Sequence, residues 1–188
     1  MNTTQYYLDI FKVTRQQLKQ VTDTALARGG DFSDLYFEYT TFFNLLLKDG
    51  VVSSGGFHSD YGMGIRVLKG EKTGYAYTEN TEHAEMLKAA NAASAIACGG
   101  GYSKKYPKVI DKRLDLYPIG QNWRQMEAEA FLPFLKCLET KVLALDNRIV
   151  KVIVRLSNST SDILMYNSLG ELTCDTRPMG SITVTAVF

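Results

Sequence analysis

Gly62-Met63-Gly64-Ile65-Arg66-Val67-Leu68 and Thr73-Gly74-Tyr75-Ala76-Tyr77 flank the turn Lys69-Gly70-Glu71-Lys72, and both runs alternate. They read as successive antiparallel strands with one face buried, since a two-residue period puts alternate side chains on opposite faces. Gly62-Met63-Gly64 lacks the third glycine of a dinucleotide loop and lies between strand segments, so it reads as a bulge or a permissive backbone position. Upstream, Leu35-Tyr36-Phe37-Glu38-Tyr39 and Phe43-Asn44-Leu45-Leu46-Leu47-Lys48 are aromatic and apolar enough to pair. Asp49-Gly50 is a tight-turn dipeptide with Val51-Val52-Ser53-Ser54 beyond it, which predicts a hairpin.

Helices frame these strands. Thr14 with Gln17 forms a capping box before a helix over about Arg15 to Arg28, whose apolar stripe is Leu18, Val21, Ala25 and Leu26 and whose stop is Gly29-Gly30. From about Thr81 to Ala97 the chain is rich in alanine, and Met86, Ala90, Ala93 and Ala97 share a face narrow enough to lie close to a sheet. Gly99-Gly100-Gly101 follows a helix, the wrong order for a phosphate cradle. Tyr102 to Asn122 has no periodicity. It holds Lys104, Lys105, Lys108, Lys112 and Arg113, diluted by Asp111 and Asp115, and reads as a solvated connector. A second helical region runs from about Trp123 to Leu145, with Phe134, Leu138, Val142 and Leu145 as the expected stripe and Pro133 as a kink or restart. Strands are expected over Val150–Leu156, Asp162–Tyr166 and Ser181–Val187. The fold class is therefore α+β: an antiparallel sheet packed with helices, in two similar helix-plus-strands units. The expected division is a first unit over 14–98, a connector over 99–121 and a second unit over 122–188.

Composition excludes more than it assigns. The 188 residues carry 21 Lys and Arg against 20 Asp and Glu, a formal net charge of +1, and are 45% hydrophobic. Near-neutral charge gives no electrostatic drive toward nucleic acid. No apolar run approaches the roughly 18 residues of a membrane span. The N-terminus lacks the basic and apolar regions of a signal peptide, and Cys98, Cys137 and Cys174 are odd in number and far apart, so a cytoplasmic protein is expected. His58 and His83 are the only histidines. No His or Cys pair has a zinc-ligand spacing, and neither histidine is tied by sequence to a thiol. His58 is expected in a polar loop and His83 in a first helical turn, in surface or capping roles. Cys98 and Cys137 are expected on apolar helix faces and Cys174 in a partly exposed position. Seen from the residues alone, the chain has no catalytic and no metal site.

Longer phrases carry a resemblance. Gly29-Gly30-Asp31-Phe32-Ser33-Asp34-Leu35-Tyr36-Phe37-Glu38 resembles the opening strand of the TldD/PmbA family, Leu46-Leu47-Lys48-Asp49-Gly50-Val51-Val52 its next hairpin, and Tyr61 through Thr78 its most recognisable N-terminal segment. Cys174-Asp175-Thr176-Arg177-Pro178-Met179 is closer to the TldD branch than to the PmbA branch. The resemblance implies a cytoplasmic zinc metalloprotease acting on unfolded or extended peptides as a dimer of TldD-like and PmbA-like subunits. Its His-Glu-x-x-x-His metal motif belongs to the family's C-terminal half, where two imidazoles hold zinc and the glutamate acts as base. That motif is absent from this sequence, so none of the family's catalytic or metal residues carries over. Zinc is expected in the missing half and no cofactor in this one.

The chain stops at Phe188 within an apolar strand, which suggests a longer protein. The expected role is that of an N-terminal domain shaping a substrate channel and subunit contacts; the alternative is a stand-alone binding or assembly module with no chemistry. Expected partners are a peptide substrate and a TldD/PmbA-type subunit or a second copy, with no membrane. Asp175 and Arg177, beside Pro178, are the candidate contacts to substrate or to the rest of the enzyme. The competing reading for them is a loop-stabilising ion pair.

Overall fold

The computed structural model of the chain describes residues 3–97, 119–120 and 122–188. The connector expected over 99–121, with its basic run and glycine triplet, lies almost wholly outside the described residues, and so does Cys98. Among the described residues, five strands form one antiparallel sheet: β1 (Phe32–Lys48), β2 (Val51–Lys69), β3 (Lys72–Thr78), β4 (Lys151–Asn167) and β5 (Leu172–Val187), in the order β3-β2-β1-β4-β5. Four α-helices among those residues accompany it: α1 (Thr4–Phe11), α2 (Arg15–Leu26), α3 (His83–Ala97) and α4 (Ala128–Leu143). The α+β class read from the sequence is thus the observed one.

Turn chemistry fixes the hairpins. Asp49 and Gly50 have φ of 52° and 75°, the two positive values that a type I′ turn requires and that match the right-handed twist of the flanking strands. The expected turn over Lys69–Lys72 closes β2 onto β3, with Lys69 opposite Lys72 and Val67 opposite Gly74. The capping box of α2 is present: the Gln17 amide donates to the Thr14 hydroxyl at 3.2 Å, and the Thr14 amide donates to Gln17 Oε1 at 2.9 Å.

The strands are much longer than the short runs expected. Leu35–Tyr39 and Phe43–Lys48 are parts of one 17-residue strand, and β2 runs unbroken for 19 residues through Phe57-His58-Ser59-Asp60, expected as a loop. β5 likewise absorbs Cys174–Met179. Pro178 is compatible with this because β5 is an edge strand, where a missing N–H breaks no ladder bond. α1 has no counterpart in the sequence reading; Thr3 caps it, accepting from the Tyr6 amide, and Lys12 ends it at φ 54°.

Two compact units share these strands. The first comprises the segments up to Tyr39, from Asp60 through α3, and Asp162–Thr176. Its core joins Phe11, Leu18 and Val21 to Phe37, Ile65, Val67, Met86 and Leu164, all fully buried. The second comprises Thr40–Ser59, the segment from Ile119 to Ser161, and Arg177–Phe188. Its core places Phe131 and Leu135 of α4 on Leu45, Leu47, Val152, Val154 and Leu156.

The stripe of α4 differs from the expected one. Phe131, Leu135 and Glu139 are buried, with Leu138 and Val142 packed beside them, whereas Phe134 is 52% and Leu145 78% exposed. The helix runs through Pro133 without a restart, so the register set from residue 134 starts on the wrong face. Glu139 is buried because its Oε1 accepts from the Gly50 amide at 2.9 Å, tying α4 to the β1–β2 turn.

Candidate functional site

In the first unit, helices cover one face of the sheet and, among the described residues, leave the other open. Leu35 and Phe37, Met63, Ile65 and Val67, and Leu164 point to the helices. Their neighbours in the period-two alternation, Asp34 and Tyr36, Gly64 and Arg66, and Met165, line a concavity of about 480 Å³, with Tyr75 added from β3. Tyr75 is 57% exposed and Tyr36 40%. Gly64 is the small position that admits Tyr75, because a Cβ there would overlap the tyrosine hydroxyl. At the centre the Arg66 guanidinium grips Asp34 with two nitrogens, Nε lying 3.0 Å from Oδ1. Half exposed, this pair contributes little to stability, about 0–1 kcal/mol, but it fixes a planar charged group on the strand position opposite Tyr75. Such a face offers flat apolar contact and oriented polar groups, the composition of protein-binding surfaces.

The sequence candidates lie elsewhere. Asp175 is half buried and Arg177 exposed, and both belong to β5 rather than to a loop. Neither is among the residues that line the concavity. Their neighbour Thr176 enters a polar network that sequence gave no means of finding. The Thr176 hydroxyl lies 2.6 Å from Asp162 Oδ1 and donates to it, Tyr6 donates to Asp162 Oδ2 at 3.2 Å, and the Tyr7 hydroxyl meets Thr176 at 2.7 Å. Asp162 is fully buried, so the network anchors α1 to β4 and β5.

Burial pushes the Tyr7 phenol above its ordinary pKa, with the Asp162, Cys174 and Asp175 charges adding to the shift and the Thr176 hydrogen bond opposing it. The folded-state pKa is the higher one, so this contribution to stability is complete below about pH 10 and is lost as pH rises through the folded value. Urea denaturation from pH 8 to 11.5 is expected to show that loss in the native chain. Tyr7→Phe should flatten the alkaline limb, and a limb unchanged in Tyr7→Phe would place the loss elsewhere.

The remaining reactive residues do not converge. His58 stands in β2, its ring stacked on Phe42 at 4.5 Å, and His83 opens α3 as expected. Cys137 is exposed, not core, because it lies off the α4 stripe. Cys174 is buried, not partly exposed, because the alternation of β5 turns it inward. Among the described residues, no three His, Cys, Asp or Glu side chains are grouped to hold a metal ion. Among them too, no helix is long and apolar enough to cross a membrane.

Comparison with known proteins places the chain. Residues 33–97 match the model described as PmbA/TldA metallopeptidase domain 1, and residues 121–188 match the PmbA/TldA metallopeptidase central domain. A metalloprotease TldD homolog of Haemophilus influenzae is 28% identical over 178 residues, covering 93% of this chain and 37% of that protein. The Buchnera aphidicola homolog from the pea-aphid strain is 27% identical over 183 residues, covering 93% and 36%. The chain thus spans little more than a third of the length of these relatives. Among solved structures, a proposed modulator of DNA gyrase from Bacteroides thetaiotaomicron superposes with a TM-score of 0.71 at 14% identity, covering 92% of this chain and 40% of that one. TldE from Thermococcus kodakarensis gives 0.58 at 13% identity, covering 90% and 42%. The fold agrees with both, and the two domain matches, in chain order, account for both halves of the sequence. The chain belongs to the PmbA/TldD metallopeptidase family.

Proposed function

We propose that the chain supplies the non-catalytic part of a TldD-like zinc metalloprotease, shaping the channel for unfolded or extended peptides and the contacts to a partner subunit. The observation that carries this reading is the pairing of two metallopeptidase domain matches with a donor set that does not fit the metal: among the described residues there is no three-ligand cluster. Catalytic zinc needs three protein ligands and an open position, and this reading assigns the metal and its water-activating base to another part of the enzyme. The open face of the first unit supports a contact role. So do the edges β3 and β5, where extended chains add by main-chain hydrogen bonds with little regard to their side chains. The partner is a TldD/PmbA-type subunit or a second copy, and the setting is the cytoplasm.

The purified 188-residue chain, dialysed against zinc and assayed on unfolded peptides, is expected to hold far less than one zinc per chain and to release no fragments. Stoichiometric zinc with chelator-sensitive cleavage would overturn the reading.

A further inference from the structure

In the second unit, beside Phe131 of α4, the sheet carries a small pocket of about 100 Å³. Its floor is Thr41 and Phe43 of β1 and Asn158 of β4; its walls are Phe57, Trp123 and Met126. The 3-10 turn Trp123–Gln125 sets the wall, capped by Asn122, whose Oδ1 accepts from the Arg124 amide at 3.0 Å. Arg124 braces the floor, donating from Nε to Thr41 Oγ1 and from Nη2 to the Thr160 carbonyl, each at 2.9 Å. Packing against Phe131, with ring centroids 6.2 Å apart, holds the Trp123 indole in place.

Asn158 is only 8% exposed, yet its Nδ2 is buried with no hydrogen-bond partner. An unpaired buried amide costs about 1–3 kcal/mol, a penalty removed by any ligand that brings an acceptor. Leucine at this position would continue the apolar series Val152, Val154 and Leu156 of the same strand face, so an amide among aromatic rings is a local conflict of the kind that marks binding sites. Phe57 is 67% exposed.

We propose that this pocket binds a flat aromatic ring bearing an acceptor oxygen, as in a tyrosine side chain, with the oxygen on Asn158 Nδ2 and the ring between Trp123 and Phe57. The size fits a ring entering part way: a closed apolar cavity of about 150 Å³ takes benzene whole. The proposal rests on the peptide reading above only for the source of the ring, an extended peptide passing over the pocket.

Trp123 is the single tryptophan of the chain, so fluorescence excited at 295 nm reports on the pocket wall without competing signal. Titration with p-cresol is expected to shift or quench that emission saturably, and toluene should bind at least fivefold more weakly. Asn158→Leu should raise the p-cresol Kd about tenfold and leave toluene unchanged or tighter. Phe57→Ala, at an exposed position that cannot unfold the chain, should weaken both. Equal response to p-cresol and toluene, p-cresol binding indifferent to Asn158→Leu in a folded variant, or an unresponsive Trp123 would each overturn the proposal. Ala-Ala-Tyr-Ala-Ala against Ala-Ala-Phe-Ala-Ala tests the source. A tyrosine preference supports a peptide, whereas p-cresol binding without one overturns the peptide source and leaves a free phenolic ligand.

Discussion

Gly74→Ala is expected to destabilise the first unit by about 3 kcal/mol, at the upper end for overpacking by one methyl group. Gly74 sits in β3 opposite Val67, beneath the helix whose Ala90, Ala93 and Ala97 are buried. A Cβ there would overlap the Ala93 carbonyl oxygen and come within 2.9 Å of the Ala97 amide nitrogen. Both obstacles are backbone, so no rotamer change relieves them and α3 must move off the sheet. This gives the prediction its discriminating arm. Adding Ala93→Gly to Gly74→Ala should recover nothing, because the clashing atom is not in the alanine side chain. Gly120→Ala, where no atom of the described residues lies within 4 Å of the added carbon, should leave the urea midpoint within experimental error. Recovery in the double variant would mean that the helix seats differently on the strand.

That contact shows which parts of the fold could be read from the sequence. The face of α3 is legible because Met86 and the three alanines Ala90, Ala93 and Ala97 repeat at helical spacing, and they are buried as expected. Asp49-Gly50 and the Thr14–Gln17 box were legible because each encodes a local conformation whose chemistry is complete within four residues. What failed was continuity. The stretch Val51 to Asp60 is strand, yet nearly every residue in it is exposed, so no buried face leaves a two-residue period to detect. α1 has only eight residues, of which Tyr7, Leu8 and Phe11 are buried, too few turns for a stripe. The open face was illegible for another reason: Tyr36, Arg66, Tyr75 and Met165 come from four strands, and only the order β3-β2-β1-β4-β5 brings them together. Asn158 lies between the strands expected over Val150–Leu156 and Asp162–Tyr166. Its signal, a polar residue extending the buried side of Val152-x-Val154-x-Leu156, appears only once β4 is known to run from Lys151 to Asn167.

Asp162 opens the strand expected over Asp162–Tyr166, and in the structure it anchors α1 through the Tyr6 and Thr176 hydroxyls. Asp162→Ala is expected to cost about 3–4 kcal/mol, since it strips the acceptor from the Tyr6 and Thr176 hydroxyls at a fully buried position and leaves a void. Asp162→Asn keeps the shape and one acceptor oxygen, and the Tyr6 and Thr176 hydroxyls can rotate, so about 1–2 kcal/mol is expected. Tyr6→Phe removes one donor and spares the carboxylate its shorter bond, which sets its cost near 1 kcal/mol. The network reading requires more than this ranking. In the background of Asp162→Ala the further loss from Tyr6→Phe should nearly vanish, because the hydroxyl no longer has that acceptor to lose. Urea denaturation of the two single variants and the double would measure the coupling. Additive losses would mean that Tyr6 and Asp162 stabilise the unit independently, with α1 held by its apolar contacts alone. A coupling of 1 kcal/mol or more would establish that this buried carboxylate, and not helix propensity, orders a helix too short to persist without its partners.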